Sequence, residues 1–237
     1  MIPLLAAALM AAALQTSAAP PAAKVDCPDV VTPEALVCRA LQAEKEGDPG
    51  AAATSFEEAA KASSEKDPAT ARMWAAAGNM WIAAGQPGKA ALDLDRALAL
   101  PGLEAEQRGE ALLDRARAAE AQNDLKTARA KLTEAAATVS DDPFYWYFSA
   151  ALAIREGDRA TAQTAIGKAL SLAPSDPAVL FEAGHVADFG GDEDKARGYW
   201  MRAAAADPGG PVGKAAAKAV EMLGVTPVVK GEAQPPK

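Results

Sequence analysis

The sequence predicts an all-α array of five stacked helix–turn–helix units closed by one C-terminal helix, and three observations predict it. The first is a spacing. "GDRATAQTAIGKALSLAP", from Gly157, and "GDEDKARGYWMRAAAADP", from Gly191, carry Gly, Asp, Ala, a bulky apolar residue, Ala and Pro at the same offsets, 34 residues apart, with few other identities. A fixed period in the range of 20 to 50 residues marks a stacked array. The second is composition: 50% of the residues are apolar, much of that is Ala, and only 5% are aromatic. Ala favours helices and has little volume, so the chain can pack many helices closely but cannot easily build one thick core. The third is punctuation, because helix-capping residues recur at the unit boundaries.

The first 18 residues form a separate segment. "IPLLAAALMAAAL" is an uncharged apolar run that passes into the small and polar "QTSAAP". Such a run, ending in small residues at Thr16 and Ala18, fits a cleavable secretory signal over 1–18. As a helix it covers only about 20 Å against a hydrocarbon core of roughly 30 Å, so a membrane span is not expected once it is cleaved. "KVDC" places Lys24 and Asp26 where a lipid-attachment motif needs small apolar residues, which argues against a lipid anchor. Residues 19–32 read as a leader coil. Cys27 and Cys38 are the only cysteines, and an even pair in an exported chain invites a disulfide. A bridge closing about 12 residues contributes roughly 3 kcal/mol on the chain-entropy estimate and pins the leader to the first helix.

The five units occupy 33–70, 71–108, 109–142, 143–176 and 177–210, with two intervals of 38 residues followed by intervals of 34. Each unit is numbered from its start. Position 4 is Leu36, Trp74, Leu112, Trp146 and Leu180, and position 8 is Ala40, Gly78, Ala116, Ala150 and Gly184. Position 20 is always Ala (52, 90, 128, 162, 196), as is position 27 (59, 97, 135, 169, 203). Position 24 is Phe56, Leu94, Leu132, Ile166 and Trp200. Residues three or four apart share a helical face. The small residues let paired helices approach, and the bulky ones fill the space left beside them.

Between the two helices of each unit stand "EGD", "AGQ", "QND", "EGD" and "GGD", beginning at Glu46, Ala84, Gln122, Glu156 and Gly190. Gly, or Asn123 once, tolerates the left-handed conformation that ends a helix, and Asp48, Asp124, Asp158 and Asp192 can cap the next one. At the outer boundaries Thr32, Asp67, Asp142 and Asp176 each precede a proline, which is favoured at a first helical position. The third unit lacks this start. Its "PGLEAEQRGE" stretch, from Pro101, is expected to hold the extra four residues as a longer turn or a helix extension.

This pattern resembles the tetratricopeptide repeat family over about residues 33 to 208. The resemblance implies five helix pairs stacked into a right-handed superhelical solenoid. The departures are modest: position 11, often aromatic in the family, is Trp81 in the second unit and Ala in the others. A sixth start follows on schedule in "PVGKAAAKAVEMLG" over 211–224, with Lys214, Lys218 and Glu221 at positions 4, 8 and 11. A helix with one polar face is what covers the end of a solenoid. The Pro-rich stretch over 225–237 reads as a mobile tail.

Charge and chemistry narrow the function. A net charge of -8 argues against a nucleic-acid backbone as partner. His185 is the only histidine, so no His-based metal site is expected, and no Gly-flanked serine elbow accompanies it. "GQPGKA", from Gly85, is too short for a phosphate loop, lacks Ser or Thr after Lys89, and reads as a turn. The acidic residues scatter over helix surfaces. No catalytic residue, metal or cofactor is therefore expected.

Recognition is the function that is left. In the resembled family, positions 2, 5, 9 and 12 of each first helix line a concave groove that holds peptides. The resemblance carries this role to Arg72 and Asn79, to Leu113 and Arg117, to Phe144 and Tyr147, and to Phe181, His185 and Asp188. The clamp that some members use on a terminal carboxylate is not reproduced, since the first unit has Val37 and Leu41 at positions 5 and 9. The expectation is an exported, non-enzymatic, monomeric scaffold, periplasmic or else secreted, that binds a peptide of another envelope protein. The rival reading is a self-associating structural subunit of an envelope assembly.

Overall fold

A computed structural model of the chain describes residues 27–223. The signal reading of 1–18, the start of the leader coil and the tail reading of 225–237 therefore fall outside the described residues. Among those described, the chain forms α1 (Pro33–Glu46), α2 (Pro49–Ala62), α3 (Pro68–Ala83), α4 (Pro87–Ala99), α5 (Ala105–Ala121), α6 (Leu125–Val139), α7 (Pro143–Glu156), α8 (Arg159–Leu172), α9 (Pro177–Phe189), α10 (Glu193–Ala206) and α11 (Pro211–Leu223). Each helix packs against the next in sequence. The result is an all-α, right-handed superhelical solenoid of five helix pairs with α11 at its end.

The caps act as their chemistry requires. The side chains of Thr32, Asp67, Asp142 and Asp176 accept from backbone amides at the starts of α1, α3, α7 and α9. Asp48, Asp124, Asp158 and Asp192 do the same for α2, α6, α8 and α10. At the five inner turns Gly47, Gly85, Asn123, Gly157 and Gly191 all have positive φ. There the amides of Asp48, Gln86, Asp124, Asp158 and Asp192 reach back to the carbonyls of Ala43, Trp81, Ala119, Ala153 and Ala187. One wrap-back bond per unit thus satisfies a carbonyl the helix end would leave open.

The extra residues in the first two intervals lengthen first helices. The α3 helix begins at Pro68 and α5 at Ala105, ahead of the starts at 71 and 109. Lacking an Asp-Pro start, α5 uses Glu104 and Gln107 in a reciprocal capping box.

Packing follows the repeated small positions. All ten alanines at positions 20 and 27 are 0% exposed. At Gly184 an added Cβ would lie 2.2 Å from the Trp200 indole nitrogen, so the large side chain of α10 requires glycine on α9. Gly78 meets Leu94 in the same way, at 2.5 Å. The backbones of first helices approach across unit boundaries at α3 and α5, at α7 and α9, and at α9 and α11. Between α5 and α7 the space holds Leu112, Leu113, Tyr145 and Phe148. On α11, Gly213 and Ala216 are buried while Lys214, Lys218 and Glu221 stay exposed. No helix among the described residues is long and apolar enough to cross a membrane.

The sulfurs of Cys27 and Cys38 form a disulfide, with Cα atoms 5.7 Å apart. Arg39 adds to the tether by donating to the carbonyls of Pro28 and Val30. Residues 27–32 thus lie along α1 through one covalent link and a guanidinium clamp. Disulfides persist in oxidising compartments.

Candidate functional site on the inner face of the solenoid

The first helices of successive units present their free faces as one inner wall, and most of the residues singled out above lie along it. Between α1, α3 and α5 is a recess of about 350 Å³ whose lining includes Glu44, Arg72, Asn79, Glu110 and Asp114. Arg72 is exposed and Asn79 half-buried. Asn79 donates to Asp114 at 2.7 Å, and Arg117 pairs with the same carboxylate at 2.8 Å. The Arg117 guanidinium lies over the Phe144 ring, 5.4 Å from its centroid. Phe144 meets Tyr147 edge to face at 4.9 Å. Asn79, Asp114, Arg117, Phe144 and Tyr147 thus form one unbroken line of contacts across α3, α5 and α7.

A second group continues on α9. His185 packs edge to face on Phe181 at 4.5 Å and on Trp200 at 5.3 Å. Trp200 anchors the group from behind by donating its indole N–H to the Phe181 carbonyl at 3.0 Å. Phe144, Tyr147, Phe181 and His185 are all half-buried, so each keeps part of its ring at the surface. Asp188, at the end of α9, is exposed.

Leu113 needs correction. It is 5% exposed and belongs to the core between α5 and α7, with Phe144 packed against that same cluster. The aromatic residues of α7 fill the space beside α5, so position 5 of the third unit is covered. Phe148 is buried in that cluster too.

The electrostatics of the wall are acidic and partly desolvated. Burial raises the Glu110 carboxyl above its ordinary range, helped by the charges of Glu106, Asp114 and Asp142. Burial alone pushes Glu182 up to about 7. Tyr147 is also raised by burial, against the pull of Arg117, and the charge of Glu182 adds to the rise. Burial lowers His185, with Asp188 opposing, which keeps the imidazole neutral at pH 7.

Sequence reasoning singled out neither Glu182 nor Asp114 as a wall residue. The pairing of Arg117 with Asp114 had a signal in their three-residue spacing. Glu182 had none, since a half-buried glutamate and one on a solvated face look alike in sequence.

A different polar cluster occupies the outer face between α2 and α4. Asp93 is 2% exposed, and its Oδ2 has no hydrogen-bond partner, while Oδ1 accepts from Arg96 at 2.9 Å. Beside it Glu57 accepts from the Trp81 indole at 2.7 Å and from Lys61 at 2.6 Å. Lys89 lies 3.9 Å from the Trp81 ring centroid, and Arg96 lies 4.7 Å from that of Trp74. Nowhere among the described residues do three His, Cys, Asp or Glu side chains gather in a way that could hold a metal ion.

Comparison with known proteins places this architecture. No protein-family model matches the chain, and no curated protein matches it. Solved structures do. PilW, described as a widely conserved type IV pilus biogenesis factor, superposes with a TM-score of 0.64 at 19% identity, covering 77% of this chain and 81% of that one. YrrB, described as a TPR protein with an unusual peptide-binding site, gives 0.55 at 17% identity, covering 78% and 91%. A tetratricopeptide repeat protein from Parabacteroides merdae gives 0.62 at 15% identity, covering 81% and 73%. The chain is a helical-repeat solenoid with a free inner wall. Its fold is that of the tetratricopeptide repeat proteins.

Proposed function

We propose that the chain is an exported, non-enzymatic scaffold of the bacterial periplasm, working as a monomer, whose inner wall at α7 and α9 holds a peptide segment of another envelope protein. The units run over 33–70, 71–108, 109–142, 143–176 and 177–210, with 211–224 as the closing helix. The observation that carries this reading is the row of half-buried rings Phe144, Tyr147, Phe181 and His185 on neighbouring first helices. Rings that present one apolar face and keep a wet edge are suited to a partner that slots between them. Arg117 and Asn79 extend the row toward α3, and Arg72 and Asp188 flank it. Export is supported by the apolar, small-residue start of the sequence and by the Cys27–Cys38 disulfide. Recognition by the inner wall is supported by the likeness in fold to a protein described as having a peptide-binding site.

Replacing Tyr147 and Phe181 together by Ala tests it. Both rings are partly exposed and lie outside the ten-alanine core, so helical content should hold while recovery of the partner from envelope extracts falls at least tenfold. Unchanged recovery would count against the inner wall as the binding surface. Light scattering over a concentration series should give the monomer mass throughout, whereas growth in mass would favour the self-assembling subunit.

A further inference from the structure

On the outer face between α2 and α4, the polar cluster around Asp93 lines a recess of about 410 Å³, a size within the range of small-molecule sites. Nearly every charge there has a partner. Glu57 has both oxygens engaged, one by the Trp81 indole N–H and the other by Lys61, and Arg96 occupies Oδ1 of Asp93. Two groups are left over. Asp93 is 2% exposed, and its Oδ2 is buried without a donor. Lys89 is exposed and has no hydrogen bond or ion pair among the described residues; its ammonium rests over the Trp81 ring. Residues four apart are neighbours on a helix surface, so the unmet anion and the unmet cation border the same recess from α4. A buried acceptor without a donor is expensive, and in a folded protein it calls for a missing partner.

We infer that this recess is a second binding site, separate from the inner wall, and that it takes a free α-amino acid with an apolar side chain. The ligand's ammonium donates to Asp93 Oδ2, and its carboxylate pairs with Lys89, which turns from the Trp81 ring to meet it. The apolar side chain lies against Trp81 and the exposed Leu92, which also line the recess. A simple cation is a poorer match, because Lys61, Lys89 and Arg96 all stand around the recess and repel it. A simple anion leaves Oδ2 without its donor. A zwitterion answers both unmet groups at once, with its two charges one carbon apart.

Titration calorimetry on the full chain at pH 7.5 tests this, with L-leucine, L-methionine and L-phenylalanine as probes. For each, the amine lacking the carboxylate and the acid lacking the ammonium serve as comparisons. At least one amino acid should bind with a Kd below about 1 mM, and its amine and acid should each bind about tenfold more weakly. Asp93→Asn and Lys89→Met should each weaken the amino acid about tenfold. The first should leave binding of the acid unchanged, and the second that of the amine. Lys89 is exposed, so Lys89→Met should keep the parent's helical content and isolates the ligand effect from folding. Absence of binding by all three amino acids, an amine or acid that binds as tightly as its amino acid, or affinity unchanged in either variant would overturn the inference.

Discussion

At position 93 the repeat puts a carboxylate where α4 packs against α2, and nothing in the 34-residue frame foretells what meets it there. Its neighbours are Glu57, Lys61, Lys89 and Arg96, gathered around two tryptophans. Burial and the charge of Glu57 raise Asp93 from 3.8 to about 6, with Arg96 pulling the other way. Burial works to raise Glu57 as well, but hydrogen bonds from Lys61 and Trp81 outweigh it and hold that carboxyl below its ordinary range. A carboxyl raised in the folded chain binds its proton more tightly there than when unfolded. Its contribution to stability is therefore complete below pH 3.8 and is lost as pH climbs through about 6. Glu57 runs the other way, losing its contribution as pH falls. Asp93→Asn removes the Asp93 titration, together with the like charge beside Glu57, and can still accept from Arg96. It should raise unfolding stability by about 1–2 kcal/mol at pH 7.5 and leave it nearly unchanged at pH 4, measured by urea unfolding at both values. A loss at pH 7.5 would mean that the ionised carboxylate is well solvated after all.

At the scale of elements, each helix is fastened mainly to its immediate neighbours, so damage at one end should stay there. The disulfide makes this measurable. It joins the leader to α1, and replacing Cys27 and Cys38 by Ser should cost the first unit about 2–3 kcal/mol. Amide hydrogen exchange should then quicken in α1 and α2 and stay at the parent rate in α9, α10 and α11. Uniform acceleration along the chain would show that the array unfolds as a single unit. Much at this scale is legible in the sequence. Asp-Pro starts, Gly-Asp turns and the lone Asn123 announce where helices begin and end, because capping is a local transaction between a side chain and amides two or three residues away. The start of α5 is harder to read. The frame aligns residues that pack, and extra turns added in front of a packed segment leave that frame intact. In α5 a Glu104–Gln107 box replaces the proline signal.

For the molecule as a whole, legibility falls as contacts cross unit boundaries. The alanines at positions 20 and 27 recur in every unit, so one period suffices to forecast their burial. Leu113 fails the same treatment because its cover comes from Tyr145 and Phe148 in the next unit. Glu182 escapes notice because its partial burial depends on how α7 packs beside α9. The row of rings falls between these cases: the frame assigns Phe144, Tyr147, Phe181 and His185 to one face, but only the packed array brings them into edge-to-face contact. The central claim is that this face is where the partner sits, and photo-crosslinking in the native cell tests it most directly. A photoreactive phenylalanine analogue placed at Phe181, and separately at exposed Leu92 on the outer side of α4, should give a discrete crosslinked partner from position 181 alone. Equal adducts from both positions, or an adduct from Leu92 only, would contradict the account.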